Sequence, residues 1–534
     1  MRTEATRTST DTDRLLTYCA ELQEGYEART SSEQRKRRGQ FFTPASVAEF
    51  MAGLIATPPW RMRLLDPGAG TGTLTAAVCQ RILRLRSPRK IEIVLYENDR
   101  HVVRLLQENM ECCRSLLHNA GHRLTYEIRQ EDFILSNSHT FGQYSLFQVP
   151  QADEPFDAAI MNPPYFKIAK TSEYAQVMSR IVCGQPNIYA LFMALAAEML
   201  REHGQLVAIT PRSFCSGLYF RGFRRWFFAK MSLQHIHLFE SRKDTFRNAN
   251  VLQESVITKT ERSGQTPATI PVTTSFGAEL PAKPRAMNLP ATLVLDDTCA
   301  DMVIRIPENS EDARIMLLVE SWPTRFEAHG LRVSTGPVVI FRATEFLMDT
   351  PTGSHSAPLL SVHNVRPFET VWPVTKNSKP TAFRVCEQSL NRRLLVPTRN
   401  YVLLRRFSAK EERRRLTASC FLEAAQPLPY VALENHLNYV YHAERNLTEN
   451  ETYGISALFN SALLDRYFRT LSGNTQVNAT EVRTMSFPDL RTLRRIGRRI
   501  RQLREFSPQF TEHIVLNELG LDGALERYLA EYVK

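Results

Sequence analysis

The sequence predicts an α/β chain: a mostly parallel sheet with helices on both faces, followed by a second half of mixed α and β structure. Three observations predict it. Between about residues 60 and 260, short apolar runs alternate with helical stretches. A glycine-rich turn joins the first of those runs to the first of those helices. After residue 262 the alternation stops, and Pro267, Pro271, Pro281, Pro284 and Pro290 follow closely on one another.

In chain order, residues 1–38 read as a polar helical segment ending in Lys36-Arg37-Arg38. Leu64-Leu65 is a strand leading into the turn at Asp66–Gly72, and a helix follows over Leu74–Arg86. Ile91–Tyr96 reads as a strand and Val102–Leu117 as a helix. Asp157–Met161 is a short apolar strand that stops at Asn162-Pro163-Pro164, where the prolines forbid its continuation. Ile188–Glu202 reads as a helix, with Gln205–Thr210 and His235–Phe239 as strands. The expected division is 1–38, a catalytic domain at 39–262, a Pro-rich linker at 263–292, and a second domain at 293–534. That last domain ends in helices near Leu490–Phe506 and His513–Tyr532. No internal repeat is visible.

The chain has 534 residues, 43% of them hydrophobic and 23% charged, which fits a folded protein of several domains. The longest apolar-rich stretch, Ile188–Leu200, is too short to span a bilayer and contains Glu198, so no membrane partner is expected. No signal-peptide core is present, and the nine cysteines are scattered without a CxxC pair. A cytoplasmic chain with reduced thiols and no metal is therefore expected. Lys and Arg number 67 against 56 Asp and Glu, and the excess is local. Residues 201–250 carry 9 basic and 3 acidic side chains, and residues 351–500 carry 22 and 12. Such concentrations suit a phosphate-bearing polymer.

In Asp66-Pro67-Gly68-Ala69-Gly70-Thr71-Gly72, the glycines let the backbone turn tightly and approach a ligand. Glu97, at the end of the next strand, can accept from both hydroxyls of a ribose. The spacing is GxGxG, with an acid before the first glycine. That acid disfavours a pyrophosphate and favours a cationic ligand such as S-adenosyl-L-methionine, which carries an ammonium and a sulfonium.

In Asn162-Pro163-Pro164-Tyr165, the Asn162 side-chain oxygen and the Pro163 carbonyl can accept both hydrogens of a planar exocyclic amine, and Tyr165 can stack on the attached ring. Accepting those hydrogens localises the nitrogen lone pair for attack on a methyl sulfonium. No Pro-Cys dipeptide occurs, which argues against cytosine C5 methylation through a cysteine nucleophile.

These segments resemble the gamma-class amino-methyltransferases of restriction–modification systems, chiefly the N6-adenine DNA enzymes with an Eco57I-like methylase domain. Gly39-Gln40-Phe41-Phe42-Thr43-Pro44, the Asp66–Gly72 turn, Glu97, Asp132-Phe133 and Asn162-Pro163-Pro164-Tyr165 follow in that family's order. A variable target-recognition region comes last. There the match is looser, through Ser334-Thr335-Gly336, Phe341-Arg342 and the loop from Gly473 to Thr480. The resemblance implies a Rossmann-like S-adenosylmethionine-dependent methyltransferase domain followed by a mixed α+β target-recognition domain. It implies that Thr43 contacts the methionine carboxylate, and that Asp66 with Gly68, Gly70 and Gly72 holds the methionyl part. It further implies that Glu97 binds the ribose, Asp132 accepts from the cofactor's adenine amine, and Phe133 packs on that ring. Phe246 would face the flipped target base, with Phe239 and Phe214 as neighbouring candidates. The implied substrate is an adenine flipped out of double-stranded DNA. The implied setting is a monomer that protects DNA from a separate cognate restriction endonuclease.

For DNA contact, Arg212, Arg224 and Arg225 stand among Phe214, Tyr219, Phe220 and Phe223, and Asn474, Gln476 and Asn478 offer amides that can read base edges. The arginine-rich stretch Arg491–Arg501 suits phosphate positioning. Cytosine N4 methylation uses the same chemistry. RNA and protein amino-group methyltransferases also carry NPPY, though they are usually compact and lack a large basic carboxy-terminal half. A non-enzymatic DNA-binding module would not bind S-adenosylmethionine.

Overall fold

Nine strands of the first half form one sheet in the order β3-β2-β1-β4-β5-β7-β6-β8-β9. In this computed structural model they are β1 (Arg61–Pro67), β2 (Lys90–Tyr96), β3 (Arg123–Arg129), β4 (Phe156–Met161), β5 (Leu200–Pro211), β6 (Met231–Phe239), β7 (Ser255–Arg262), β8 (Thr269–Ser275) and β9 (Arg285–Pro290). The described residues are 14–31, 33–34, 40, 42–141, 153–182, 187–239, 254–263, 265–275, 277, 284–296, 301–374, 380–408, 412–472, 476–521 and 523–533. Strands β1 to β5 pair in parallel, and β7 runs antiparallel between β5 and β6. Chain order reverses around β1, which has β2 on one side and β4 on the other. A doubly wound sheet opens its crevice there, at the carboxyl ends of the strands.

The helices of this unit that bear on the site are α1 (Arg14–Arg29), α2 (Ala45–Leu54), α3 (Thr73–Leu83), α4 (Arg100–Asn119), α5 (Phe133–Ser136), α6 (Glu173–Val177), α7 (Ile188–Met199) and α8 (Arg221–Phe228). Helix α4 shows why they form. Asp99 caps it, accepting from His101 N–H at 3.0 Å. Val102, Leu106, Met110, Cys113 and Leu117 are all buried, giving one apolar stripe at helical spacing. Leu106, Met110, Cys113 and Leu117 join Leu15, Leu16 and Cys19 of α1, Val47 and Met51 of α2, and the inward side chains of β1 and β2 in a single core.

Several expectations about the elements change. The proline-rich stretch is not a linker: β8 and β9 lie within 263–292 and extend the sheet. Pro271 is tolerated because the pairing of β8 with β6 begins at the next residue, Val272. The chain divides at 308/309 rather than 292/293, into units of residues 1–308 and 309–534. The helix read as Ile188–Glu202 ends at Met199, where β5 begins.

The second unit holds two five-stranded sheets. Tyr401–Arg405 is central to one and Ser356–Leu360 to the other. Helices over Glu449–Phe459, Ala462–Leu471, Leu490–Ile500, Pro508–Leu519 and Gly523–Val533 complete it. The last two replace the single helix read over 513–532, because Gly520 closes the first in a left-handed conformation. Among the described residues, no helix is long and apolar enough to cross a membrane, and no group of His, Cys, Asp and Glu could hold a metal ion.

Candidate active site

A cavity of about 560 Å³ opens at the carboxyl ends of β1 to β4. Its lining includes Gly68, Gly70, Glu97, Asp132, Phe133 and Asn162, so motifs spread over nearly a hundred residues converge on one place.

The glycine turn is anchored to the neighbouring strand, since Gly68 N–H and Ala69 N–H both donate to Tyr96 O at 2.9 Å. Gly68, Gly70 and Gly72 all have left-handed φ, at 74°, 57° and 84°. Their surroundings differ. Gly68 and Gly70 face the cavity, whereas a Cβ on Gly72 would lie 2.7 Å from Leu106 and 2.8 Å from Asn109. Gly72 thus lets α4 approach the turn and does not line the cavity.

Asp66, next to last in β1, is fully buried, with Oδ2 accepting from the Thr75 hydroxyl at 2.6 Å. Its Oδ1 is buried without a hydrogen-bond partner among the described residues. Burial pushes its carboxyl up to about 7. Glu97 Oε2 accepts from Gly70 N–H at 3.0 Å and its Oε1 from Asp99 N–H at 2.9 Å, tying the acid to the turn. Burial raises its pKa, outweighing those two donors.

Behind the turn lies α1. Cys19 Sγ is 3.2 Å from Thr73 Oγ1, and Asn109 Nδ2 donates to Thr71 O at 2.8 Å. The same helix supplies Tyr26, whose ring meets Phe42 edge-on at 5.7 Å and whose hydroxyl donates toward Gln40 Oε1 at 3.2 Å. Gln40 in turn donates to Asp99 Oδ2 at 3.1 Å. Gln40 and Phe42, both on the cavity wall, are therefore held there by α1. Sequence reasoning missed Cys19 and Tyr26, although Leu15, Cys19 and Tyr26 share a stripe at helical spacing.

Asn162 directly follows β4. Its Nδ2 donates to Thr43 Oγ1 at 3.0 Å, which fixes the orientation of the amide. Thr43 itself is buried and is not part of the cavity wall. Asn162 Oδ1 accepts from the Tyr165 hydroxyl, which also lies 3.0 Å from Ile209 O. The Tyr165 ring stands edge-on to Tyr189 at 6.2 Å, and Tyr189 stacks on Phe220 at 5.3 Å. Burial raises the Tyr165 phenol, which keeps it a donor. Pro163 is buried, and Phe166, just beyond the turn, is partly exposed at the cavity.

At the far end of the cavity Asp132 caps α5, its Oδ1 accepting from Ile134 N–H at 3.0 Å and Leu135 N–H at 2.9 Å. Phe133 is buried between Tyr96 and Phe192, at centroid distances of 5.0 and 5.2 Å. Glu97, Asp99, Glu131 and Asp132 give this wall an acidic character, and Ile188 and Phe192 supply apolar area. The cavity thus offers carboxylate acceptors beside apolar and aromatic area.

Other expected residues lie elsewhere. Phe246 falls outside the described residues, as does Asn474. Phe214 and Phe239 are buried in the interior, so neither can meet a base. Arg212 is 1% exposed and pairs with Glu254 at 3.1 Å, and Arg224 is 0% exposed and donates to Phe214 O and Gly217 O at 2.8 Å. Neither guanidinium can reach phosphate, and the expectation that they bind DNA is corrected on that ground. Arg225, the next residue on α8, is exposed. Gln476 accepts from Arg406 at 3.4 Å, and Asn478 opens a helix in a capping box with Glu481. Most of the arginine-rich helix is also paired: Arg494 with Glu451, Arg495 and Arg499 with Glu518, and Arg501 with Glu449.

The family model for the Eco57I restriction-modification methylase matches residues 78–246. The Type II methyltransferase M.PstI of Providencia stuartii is 32% identical over 487 residues, which cover 91% of this chain and 94% of that one. The chain belongs to the Type II methyltransferases of restriction–modification systems. A second such methyltransferase, M.BsuBI of Bacillus subtilis, is 32% identical over 475 residues, covering 87% and 90% of the two chains. Among solved structures, the Type IIL restriction-modification enzyme MmeI in complex with DNA aligns at 11% identity and a TM-score of 0.49, over 98% of this chain and 75% of that one. In this Type II DNA methyltransferase the Asn162–Tyr165 turn falls inside the matched methylase region, and the glycine turn just precedes it.

Proposed function

We propose that this methyltransferase transfers a methyl group from S-adenosyl-L-methionine to the N6 amine of an adenine flipped out of duplex DNA, protecting that DNA from a cognate restriction endonuclease. The observation that carries the reading is that Asn162 lines the same cavity as Gly68, Gly70, Glu97, Asp132 and Phe133, with its amide oriented by Thr43.

S-adenosyl-L-methionine supplies an electrophilic methyl on a sulfonium. Glu97 would accept from the ribose hydroxyls, Asp132 from the adenine amine, and Phe133 would pack in the adenine region. Asp66, with its unpartnered Oδ1, and the turn carrying Gly68 and Gly70 would serve the methionyl part. Asn162 Oδ1 and the Pro163 carbonyl would accept the two hydrogens of the target amine. With its lone pair aimed at the methyl carbon, the amine nitrogen would form the new N–C bond as the C–S bond of the sulfonium breaks, leaving S-adenosylhomocysteine, and the methylated nitrogen would give up one proton to solvent. Tyr165 would stack on the target ring, recovering about 1–3 kcal/mol of the cost of extruding the base. Thr43 acts through Asn162, holding its amide so that the oxygen faces the amine. No cysteine nucleophile is required.

The exposed Arg225 would contact phosphate, and Gln476 and Asn478 belong to the half that would select the DNA site. The test is transfer of tritiated methyl from S-adenosyl-L-methionine to plasmid DNA, followed by nucleoside analysis. N6-methyladenine is the expected product. N4-methylcytosine would move the reading to the other amine, and label in protein or RNA alone would overturn it.

A further inference from the structure

Asp132 is served by one side chain that no motif contains. Tyr174, on α6, donates its hydroxyl to Asp132 Oδ2 at 2.6 Å, and its ring lines the same cavity. Helix α6 lies in the excursion that follows the Asn162–Tyr165 turn. The base of that excursion is closed by a bridge between Lys167 and Asn187 and by Ile188 N–H donating to Phe166 O at 3.0 Å. Ser172 caps α6 through Ala175 N–H at 3.2 Å, and Ala175, Met178 and Ile181 are buried. Tyr174 is thus carried on a packed, capped element.

The acceptor capacity of Asp132 can be counted. A carboxylate offers about four lone-pair sites. Oδ1 accepts two backbone N–H groups and Oδ2 accepts the Tyr174 hydroxyl. One acceptor site remains, on Oδ2. The Tyr174 oxygen, its proton committed to Asp132, can itself only accept. This end of the cavity therefore presents acceptors of fixed direction. A purine bearing an amine at position 6 satisfies them. A purine bearing a carbonyl there sets acceptor against acceptor, and an unmade hydrogen bond in a buried site is costly.

We propose that Tyr174 is a positioning residue: by pinning Oδ2 of Asp132 it makes the cavity selective for a 6-amino purine over a 6-oxo purine. The proposal rests on the reading of this cavity as the S-adenosyl-L-methionine site. Without the hydroxyl, water can enter beside Oδ2 and donate to a ring carbonyl, so Tyr174→Phe is expected to lose selectivity more than it loses structure.

The experiment is calorimetric titration of the full chain with S-adenosylhomocysteine and with its 6-oxo analogue, S-inosylhomocysteine. Wild type should prefer the adenosyl ligand by about tenfold or more, the size of one well-made polar contact. In Tyr174→Phe that ratio should fall to about threefold or less, chiefly by weaker adenosyl binding, with KM for the cofactor rising more than kcat falls. Tyr174→Leu, which removes the ring as well, should show the same collapse of the ratio. Asp132→Asn, whose amide can donate to a carbonyl, should lower it further. A wild-type ratio retained in Tyr174→Phe, or both ligands weakened equally in either Tyr174 variant, overturns the role of Tyr174 and leaves the cofactor site standing. A wild-type protein that binds neither ligand overturns the cofactor reading itself.

Discussion

Asn162 Nδ2 donates to Thr43 Oγ1 at 3.0 Å, joining side chains 119 residues apart in sequence. An amide turned the other way would present two donors in place of its oxygen, so this hydrogen bond fixes which end of the amide is the acceptor. The hydroxyl of Tyr165 reinforces it from the other side of the amide.

The first prediction follows. Asn162→Ala should abolish methyl transfer while duplex binding persists, because the fold does not rest on that side chain. Thr43→Val removes only the donor's partner and should lower kcat by about tenfold, the worth of roughly 1.4 kcal/mol, by letting the amide turn. Steady-state kinetics with a gel-shift control would check both. Equal kcat in Thr43→Val and wild type would show that the amide is held by something else.

A second prediction concerns pH. Asp66 is fully buried, and its carboxyl sits at about 7 against an ordinary 3.8. Its folded-state pKa is raised, so the folded state binds the proton more tightly than the unfolded chain does. That contribution to stability is complete below the unfolded value and is lost as pH rises toward about 7, by up to about 1.4 kcal/mol per pH unit. Asp66→Asn keeps an acceptor for Thr75 and carries no charge. Its thermal midpoint without ligand should exceed that of wild type at pH 8, and the difference should shrink toward pH 4. A difference that does not depend on pH would reject the assignment.

How far the sequence carries the site depends on the kind of residue. Gly68, Gly70, Glu97, Asp132, Phe133 and Asn162 were legible because each stands at a strand end within a short fixed motif, and the sheet itself brings strand ends together. Tyr26, Tyr174 and Phe192 were not, since they reach the site from helices whose sequence carries packing information alone. Arg212 and Arg224 were misread for the opposite reason. A count of charges is blind to burial, and the partner of Arg212 is Glu254, which stands just before β7, 42 residues on. The proline run misled in the same way: its composition resembles a linker, while the pairing register alone shows that Pro271 sits where no N–H is needed.

That misreading gives a third prediction. Arg212→Ala leaves Glu254 buried without its cation and should cost about 3–5 kcal/mol of stability. Arg225→Ala, on the exposed face of α8, should leave the unfolding midpoint unchanged. It should weaken DNA binding across all sequences and lower the salt slope by about 1. Urea denaturation and salt-dependent binding separate the two. A destabilised Arg225→Ala, or an undiminished slope, would remove Arg225 from the DNA-contacting face.

Finally, Gly72 and Gly70 of the turn should respond differently to alanine. Gly72, at φ 84°, has no room: the new Cβ would meet Leu106 Cδ1 at 2.7 Å and Asn109 Nδ2 at 2.8 Å. Displacing Asn109 also takes the donor from Thr71 O, and the left-handed backbone adds about 1–3 kcal/mol of strain. Gly72→Ala should therefore lower the urea midpoint with little change in slope. At Gly70 the new Cβ would sit 3.4 Å from the Phe42 ring at the cavity wall. That is ordinary contact, so Phe42 need not move; the methyl instead occupies space at the cavity wall and sits on a left-handed backbone, so Gly70→Ala should lose affinity for S-adenosylhomocysteine as well as some stability. If the two substitutions lower stability and affinity in the same proportion, Gly72 belongs to the ligand site after all, and the packing of α4 against the turn is not what requires a glycine there.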